Sequence, residues 1–276
     1  MNIGIVGLGL MGGSLAIALK KFPNKYKTFG YDHNLSHIKE AIELGLVDKI
    51  VESFEEIKAC DIIILAIPVR SIVKSMNDMI GVGENVTIID FGSTKKEIVS
   101  SIPPQIRKNF VPSHPMTGTE KTGPTASIEN LYVDKIMVVC DLKQSGVRQQ
   151  EVALELFNDI GSKIIQMDSA SHDNSVAFIS HMPHALSFAL VNSVLAHDKP
   201  EDILALEGGS FKSMSRISKS SPIMWSDIFI QNRNNLLLSL QSVKNELEKC
   251  EDMLKNDDWQ GIHDWIEKAN RLKGIL

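Results

Sequence analysis

Through its first 167 residues the chain alternates short, unbroken apolar runs with stretches whose apolar residues recur every three or four positions. The runs are residues 3–6, a second ending at Asp32, 61–67 stopped by Pro68, 86–90 followed by Phe91-Gly92-Ser93, then 110–111, 136–140 and 163–167. Runs so rich in Ile and Val, without polar alternation, predict strands buried on both faces, and helical patterns such as 36–44 and 71–79 predict the crossovers between them. The expected fold is a doubly wound, mostly parallel α/β sheet. Small and polar residues at 168–173 mark a boundary, beyond which β-branched runs become scarce. There 185–194 is strongly apolar, 228–249 reads as one long helix, and 262–275 as a last amphipathic helix. The chain therefore divides into an α/β domain, 1–168, and an all-α domain, 169–276. The second has more apolar helix surface than a small bundle buries, which either a homodimer through these helices or a larger internal core would account for.

The first run leads directly into Gly7-Leu8-Gly9-Leu10-Met11-Gly12-Gly13, followed by a helical stretch, a second strand and Asp32. A strand feeding a glycine turn and then a helix leaves the N–H groups of the helix start free to hold a pyrophosphate. Gly7 permits the tight turn, Gly9 the close approach of backbone to phosphate, and Gly12 the packing of helix on strand. Leu10 and Met11 complete the turn and join the candidate cofactor residues. Asp32, about twenty residues past the turn, can accept hydrogen bonds from an adenosine ribose and would repel a 2′-phosphate. The reading is a Rossmann domain that binds NAD rather than NADP; a glycine-rich turn without a ligand is the plainer alternative.

Composition narrows the setting. Of 276 residues 43% are hydrophobic and 23% charged, as in globular proteins, and the net charge of −5 gives no electrostatic reason to expect nucleic acid or an anionic membrane as partner. The cysteines, Cys60, Cys140 and Cys250, are three and far apart, which argues against a disulfide framework and fits a reducing cytoplasm. No run approaches the length of a membrane helix, and residues 3–6 are too short for a signal core.

Candidate chemistry gathers at strand ends, where ligands collect in open α/β sheets. Ser93 follows the 86–90 run; it either faces a substrate or caps a helix with Glu97 behind it. His114, in Ser113-His114-Pro115-Met116-Thr117-Gly118-Thr119-Glu120, follows the next run, and an imidazole there suits proton transfer from a hydroxyl as a hydride departs. Glu120 reads as a gate to the site or as a solvated loop acid. His172-Asp173 and Ser180-His181-Met182-Pro183-His184 open the helical domain. Two histidines three apart admit a metal site, but Pro183 disturbs the spacing and no third ligand lies near in sequence, so no metal is expected. One of the pair lining a substrate cleft, the other packing in the core, is the favoured reading. Arg216 lies in a basic segment, 208–219, ahead of Trp225. A guanidinium can grip a carboxylate in bidentate fashion and an indole can wall a ring, though an exposed basic loop is the commoner explanation.

In this order the motifs resemble the prephenate dehydrogenase family, which includes arogenate and cyclohexadienyl dehydrogenases: residues 7–14, 90–95, 113–120, His172-Asp173, 180–184, Arg216 and Met224-Trp225. The resemblance spans nearly the whole chain and implies an N-terminal Rossmann domain with a helical, dimer-forming C-terminal domain. It implies NAD-dependent oxidative decarboxylation of prephenate to 4-hydroxyphenylpyruvate on the route to tyrosine, or the equivalent reaction of arogenate. His114 would then accept the hydroxyl proton and Ser93 would orient His114. Arg216 and His181 would hold substrate carboxylates, Trp225 would line the pocket, and Thr119 and Glu120 would lie at its mouth. The chain ends soon after its last helices, so a fused regulatory domain is not expected. A β-hydroxyacid dehydrogenase shares the plan but carries a lysine where this chain has Ser169-Ala170-Ser171-His172-Asp173-Asn174. A non-catalytic NAD sensor would have no need of a base at His114.

Overall fold

The computed structural model describes residues 1–274. Eight strands form one sheet: β1 (Asn2–Val6), β2 (Lys27–Tyr31), β3 (Lys49–Ile50), β4 (Ile62–Leu65), β5 (Thr87–Asp90), β6 (Phe110–Pro115), β7 (Ile136–Cys140) and β8 (Lys163–Met167), in the order β3-β2-β1-β4-β5-β6-β7-β8. Only the β6–β7 pairing is antiparallel, so β7 and β8 run against the first six strands. The order reverses between β1 and β4, which opens a crevice at their carboxyl ends.

The apolar runs behave as their composition demands. In β4, Ile62 and Ile64 face one core with α1 (Leu10–Leu19) and, further along the sheet, α6 (Val147–Asp159). Ile63 and Leu65 face the other with α4 (Val69–Ser75) and α5 (Lys96–Ser101). Each such fully buried side chain stabilises the fold by about 1.5–3 kcal/mol. The predicted 36–44 helix is α2 (Leu35–Glu43), α3 (Phe54–Lys58) precedes β4, and the predicted 71–79 helix is α4 followed by a 3₁₀ turn, Asn77–Met79.

Beyond β8 come α7 (Ser169–Val176), a π-helical turn (Ala177–His181), α8 (Met182–Leu195), α9 (Pro200–Leu204), α10 (Gly209–Ser215), a 3₁₀ turn (Arg216–Lys219), α11 (Pro222–Gln231), α12 (Arg233–Lys255) and α13 (Trp259–Asn270). Three expectations need correction. The helix over 228–249 is broken at Asn232, which leaves helical geometry (φ −101°, ψ 26°) between α11 and α12. Its buried amide is bound to Asp173 O and His181 Nδ1, a tertiary restraint with no trace in local periodicity. The last helix begins at Trp259, capped by Asp258, and ends at Asn270 with a 3₁₀ turn to Gly274; Ile275 lies outside the described residues. Ser113 and His114 lie within β6, not after it, because β7 pairs with them from the other side.

The helical part buries little on its own: α9, α10 and α13 bury no residue, while Leu237, Leu238, Leu247, Leu254, Trp259 and Ile266 of α12 and α13 are exposed. That removes the larger internal core as an explanation for its apolar surface.

Candidate active site

The glycine turn has the geometry that its residues require. Gly7 is at φ +93°, and a Cβ there would lie 2.4 Å from Ala66 O; one on Gly12 would lie 1.9 Å from Gly7 O. A Cβ on Gly9 would meet nothing within 4 Å, so the open approach to the N-terminus of α1 lies over this residue. Leu10 and Met11 begin α1, half-buried against the core, and Met11 O accepts from Tyr132 Oη at 2.6 Å. Asp32 sits just past β2, nearly buried. Oδ2 accepts from Leu8 N at 2.9 Å and lies 3.2 Å from His37 Nδ1, while Oδ1 accepts from Asn34 N at 2.9 Å. The carboxylate thus ties the turn to the end of β2 and borders an open cleft of about 640 Å³ lined by Gly7, His33, Ile67, Pro68 and Ser71 among others. A carboxylate has about four acceptor positions, so capacity remains for ribose hydroxyls. Turn, helix N-terminus and acid together fit a dinucleotide.

Two strands along the sheet, β5 and β6 are pinned at the same end by a buried pair. Lys95 Nζ binds the Asp90 carboxylate and donates to Ser113 O at 2.7 Å; Asp90 Oδ1 in turn accepts from Ser113 N at 3.2 Å. This holds His114 at the mouth of β6. Its Nδ1 lies 2.9 Å from His172 Nε2, and His172 Nδ1 lies 2.8 Å from Asp173 Oδ1, both partners being on α7 of the helical domain. Asp173 also accepts from the first N–H groups of α5, Lys95 N at 2.7 Å and Lys96 N at 2.9 Å. Burial, and then the neighbouring His172, Lys95 and His181, push the His114 imidazole well below its ordinary pKa, so it is neutral and able to accept a proton.

Ser93, half-buried on the β5–α5 loop, makes no side-chain hydrogen bond among the described residues, and the residue against His114 Nδ1 is His172. The cap of α5 comes from Asp173 of the other domain rather than from Ser93.

In the helical wall the two histidines differ in burial and in partners. His181 is 1% exposed, its Nδ1 3.1 Å from Asn232 Nδ2, and burial pushes its pKa down to about 4. It is a neutral core histidine rather than a charged anchor. His184, three residues on, donates from Nδ1 to Ser180 O at 2.9 Å and stacks on Trp225 with ring centroids 3.5 Å apart; burial and then Arg216 lower its pKa. The His-x-x-His spacing pointed to the pair, but only packing distinguishes its members. Trp225 is buried, and its Nε1 has no protein partner among the described residues. Arg216 is exposed and its Nη1 lies 3.8 Å from Glu120 Oε2, so a loop of the sheet domain meets a turn of the helical domain. Thr119 is exposed on that loop, its Oγ1 accepting from Lys121 N at 3.2 Å.

Comparison with known proteins gives this arrangement its relatives. Residues 15–166 match the model of the prephenate dehydrogenase nucleotide-binding domain, beginning just after the glycine turn, and residues 168–268 match that of the prephenate dehydrogenase dimerization domain. The chain is 28% identical to a cyclohexadienyl dehydrogenase of Zymomonas mobilis over all of its own length and 96% of that protein's. The structure of a prephenate dehydrogenase of Aquifex aeolicus in complex with hydroxyphenyl propionate and NAD+ superimposes with a TM-score of 0.91 at 31% identity, covering 100% of this chain and 98% of that one. A Synechocystis arogenate dehydrogenase superimposes at 0.82 with 27% identity, over 99% of each chain. With both domains matched and a nucleotide site that fits NAD, the chain belongs to the prephenate dehydrogenase family of NAD-dependent oxidoreductases.

Proposed function

We propose that the protein oxidatively decarboxylates prephenate to 4-hydroxyphenylpyruvate, with His114 as the general base. The observation that carries this reading is the neutral His114, bound at Nδ1 and without a partner at Nε2 among the described residues, at the sheet end that the histidine–tryptophan wall of the helical domain meets. NAD would be held at the N-terminus of α1 and by Asp32, and would supply the acceptor for the hydride of the carbinol carbon. His114 Nε2 takes the proton of the carbinol hydroxyl. The bond between the ring and its carboxylate then breaks, CO2 leaves, and its electron pair makes the ring aromatic. No Lewis acid is required of the chain, because aromatisation drives the departure.

Substrate carboxylates are gripped by Arg216, with His184 rather than His181 as the second polar contact, and Trp225 covers the ring. Ser93 touches the hydroxyl that His114 deprotonates. Glu120 and Thr119 lie at the mouth, Glu120 gating it through Arg216. Prephenate is preferred to arogenate because Arg216 on this wall suits the carboxylate of a keto acid, whereas an ammonium would call for an acid and Glu120 is already engaged by Arg216. The helical domain pairs with a second copy, giving a homodimer that covers the exposed leucines of α12 and Trp259 and Ile266 of α13.

The test is NADH formation by purified protein with NAD and either prephenate or arogenate. Turnover of prephenate supports the reading; turnover of arogenate alone reverses the side-chain preference; turnover of neither by protein that binds NAD sinks it.

A further inference from the structure

The contact between His114 and the helical domain has a chemical consequence beyond packing. We infer that Asp173 and His172 form a relay that sets the tautomer of His114, so that its Nε2 is a bare lone pair only when the two domains are docked. This rests on His114 being the base of the proposed reaction, and it assigns His172 and Asp173 as positioning residues for that base.

The direction of each proton follows from the acceptors. Asp173 is nearly buried, which by itself would raise its pKa, but hydrogen bonds from His172, Lys96 N and Lys95 N outweigh burial and hold it below the usual carboxylate range. An ionised carboxylate only accepts, so His172 Nδ1 carries the proton at the 2.8 Å contact. A neutral imidazole protonated at Nδ1 has an acceptor at Nε2. At the 2.9 Å contact His114 Nδ1 must therefore be the donor, which leaves His114 Nε2 without a proton. When Nε2 takes the proton, the imidazolium keeps its Nδ1–H on His172, backed by the negative charge of Asp173. The logic is that of a carboxylate holding a catalytic histidine in its working tautomer, extended by one imidazole.

The relay depends on docking. His172 and Asp173 belong to α7 of the helical domain, while their partners are the β6 base and the first N–H groups of α5 in the sheet domain. Those N–H groups are otherwise unpaired helix-terminus donors that favour an anion, so the contact that caps α5 also orients the base. His172 and Asp173 are 1% and 3% exposed, which shields their hydrogen bonds from solvent, and the neighbouring Lys95 is paired with Asp90.

Two measurements test this. In ring-¹⁵N-histidine protein free of substrate, long-range ¹H–¹⁵N spectra, assigned with His114→Asn, should show His114 as the Nδ1–H tautomer; the Nε2–H tautomer overturns the relay whatever the substrate proves to be. In steady state, His172→Leu, which has no acceptor, should lower kcat by about 10²–10⁴-fold, with KM and NAD affinity within about threefold of the parent. His172→Gln, whose Oε1 can accept from His114 Nδ1, should recover at least about tenfold of that loss, a rescue that a purely structural role would not produce. A His172→Leu enzyme within about threefold of parental kcat overturns the relay. If His172→Leu does not fold, the parental spectrum and the Gln variant decide. If neither prephenate nor arogenate is turned over, the proposed function fails while the tautomer is still read from the spectrum.

Discussion

Asp32 is the residue at which fold and cofactor choice can be perturbed together and read apart. Its carboxylate accepts from Leu8 N, which is buried, and from Asn34 N at the exposed start of α2, both at 2.9 Å. Asp32→Ala leaves the Leu8 N–H buried without a partner, at about 1–3 kcal/mol, while the Asn34 N–H can turn to water and loses only the roughly 0.5–1.5 kcal/mol of an ordinary hydrogen bond. The expected destabilisation is about 2–4 kcal/mol, seen as a lower urea midpoint at an unchanged slope. Asp32→Asn keeps one acceptor oxygen, which the Leu8 N–H claims, so it should cost about 1 kcal/mol. For NAD the two variants should converge. Each loses a charge-assisted bond to the ribose worth about 1.5–3 kcal/mol, or roughly ten- to a hundredfold in Kd by titration, and each stops repelling the phosphate of NADP. Asp32→Ala as stable as the parent would refute the capping role of the carboxylate; an unchanged ratio of NAD to NADP affinity would refute its contact with the ribose.

Four further outcomes are expected. His114→Asn should lower kcat by about 10²–10⁴-fold with NAD affinity by titration unchanged, and undiminished turnover would remove it as the base. His181 has a folded pKa of about 4 against an ordinary 6.5, so between these values the unfolded chain binds the extra proton; stability is full above pH 6.5 and falls toward pH 4 by about 3 kcal/mol. His181→Gln should flatten the urea-midpoint profile across that window, and a profile as steep as the parent's would contradict the assignment. Arg216→Ala should raise KM for the substrate by about tenfold or more yet shift stability by less than about 1 kcal/mol, because its ion pair with Glu120 is exposed; a large drop in Tm with KM unchanged would make Arg216 structural. Leu237→Lys with Leu238→Lys should shift the protein from dimer to monomer in sedimentation, and an unchanged dimer would move the interface off this part of α12.

The sheet was legible because its signal is local. An Ile-Ile-Ile-Leu run reports burial on both faces wherever it stands, and β4 lies where the run is. The glycine turn was legible for the same reason: Gly7 and Gly12 answer to backbone geometry that no side chain tolerates. The candidate site was legible as a set of residues, less so as a set of partners. His114, Trp225 and the 181–184 pair were picked out by residue type and spacing, but that His181 packs against Asn232 and His184 on Trp225 was not legible in that spacing. His172 and Asp173 were visible as a motif, without a stated role, since their partners lie in another domain.

The sequence by itself determined most of the strands and helices, that an α/β region is followed by a helical one, and that the first of them holds a dinucleotide. Those properties depend on interactions within a few residues, through hydrophobic period, φ/ψ tolerance and helix-terminus donors. Only the tertiary structure decided that the helix over 228–249 breaks at Asn232, that Asp173 caps α5, and that His172 rather than Ser93 holds His114. Each of those is a hydrogen bond made by a buried group to a partner 50 or more residues away in the chain. A buried donor must find an acceptor wherever the fold brings one, and local sequence carries no record of which one that is.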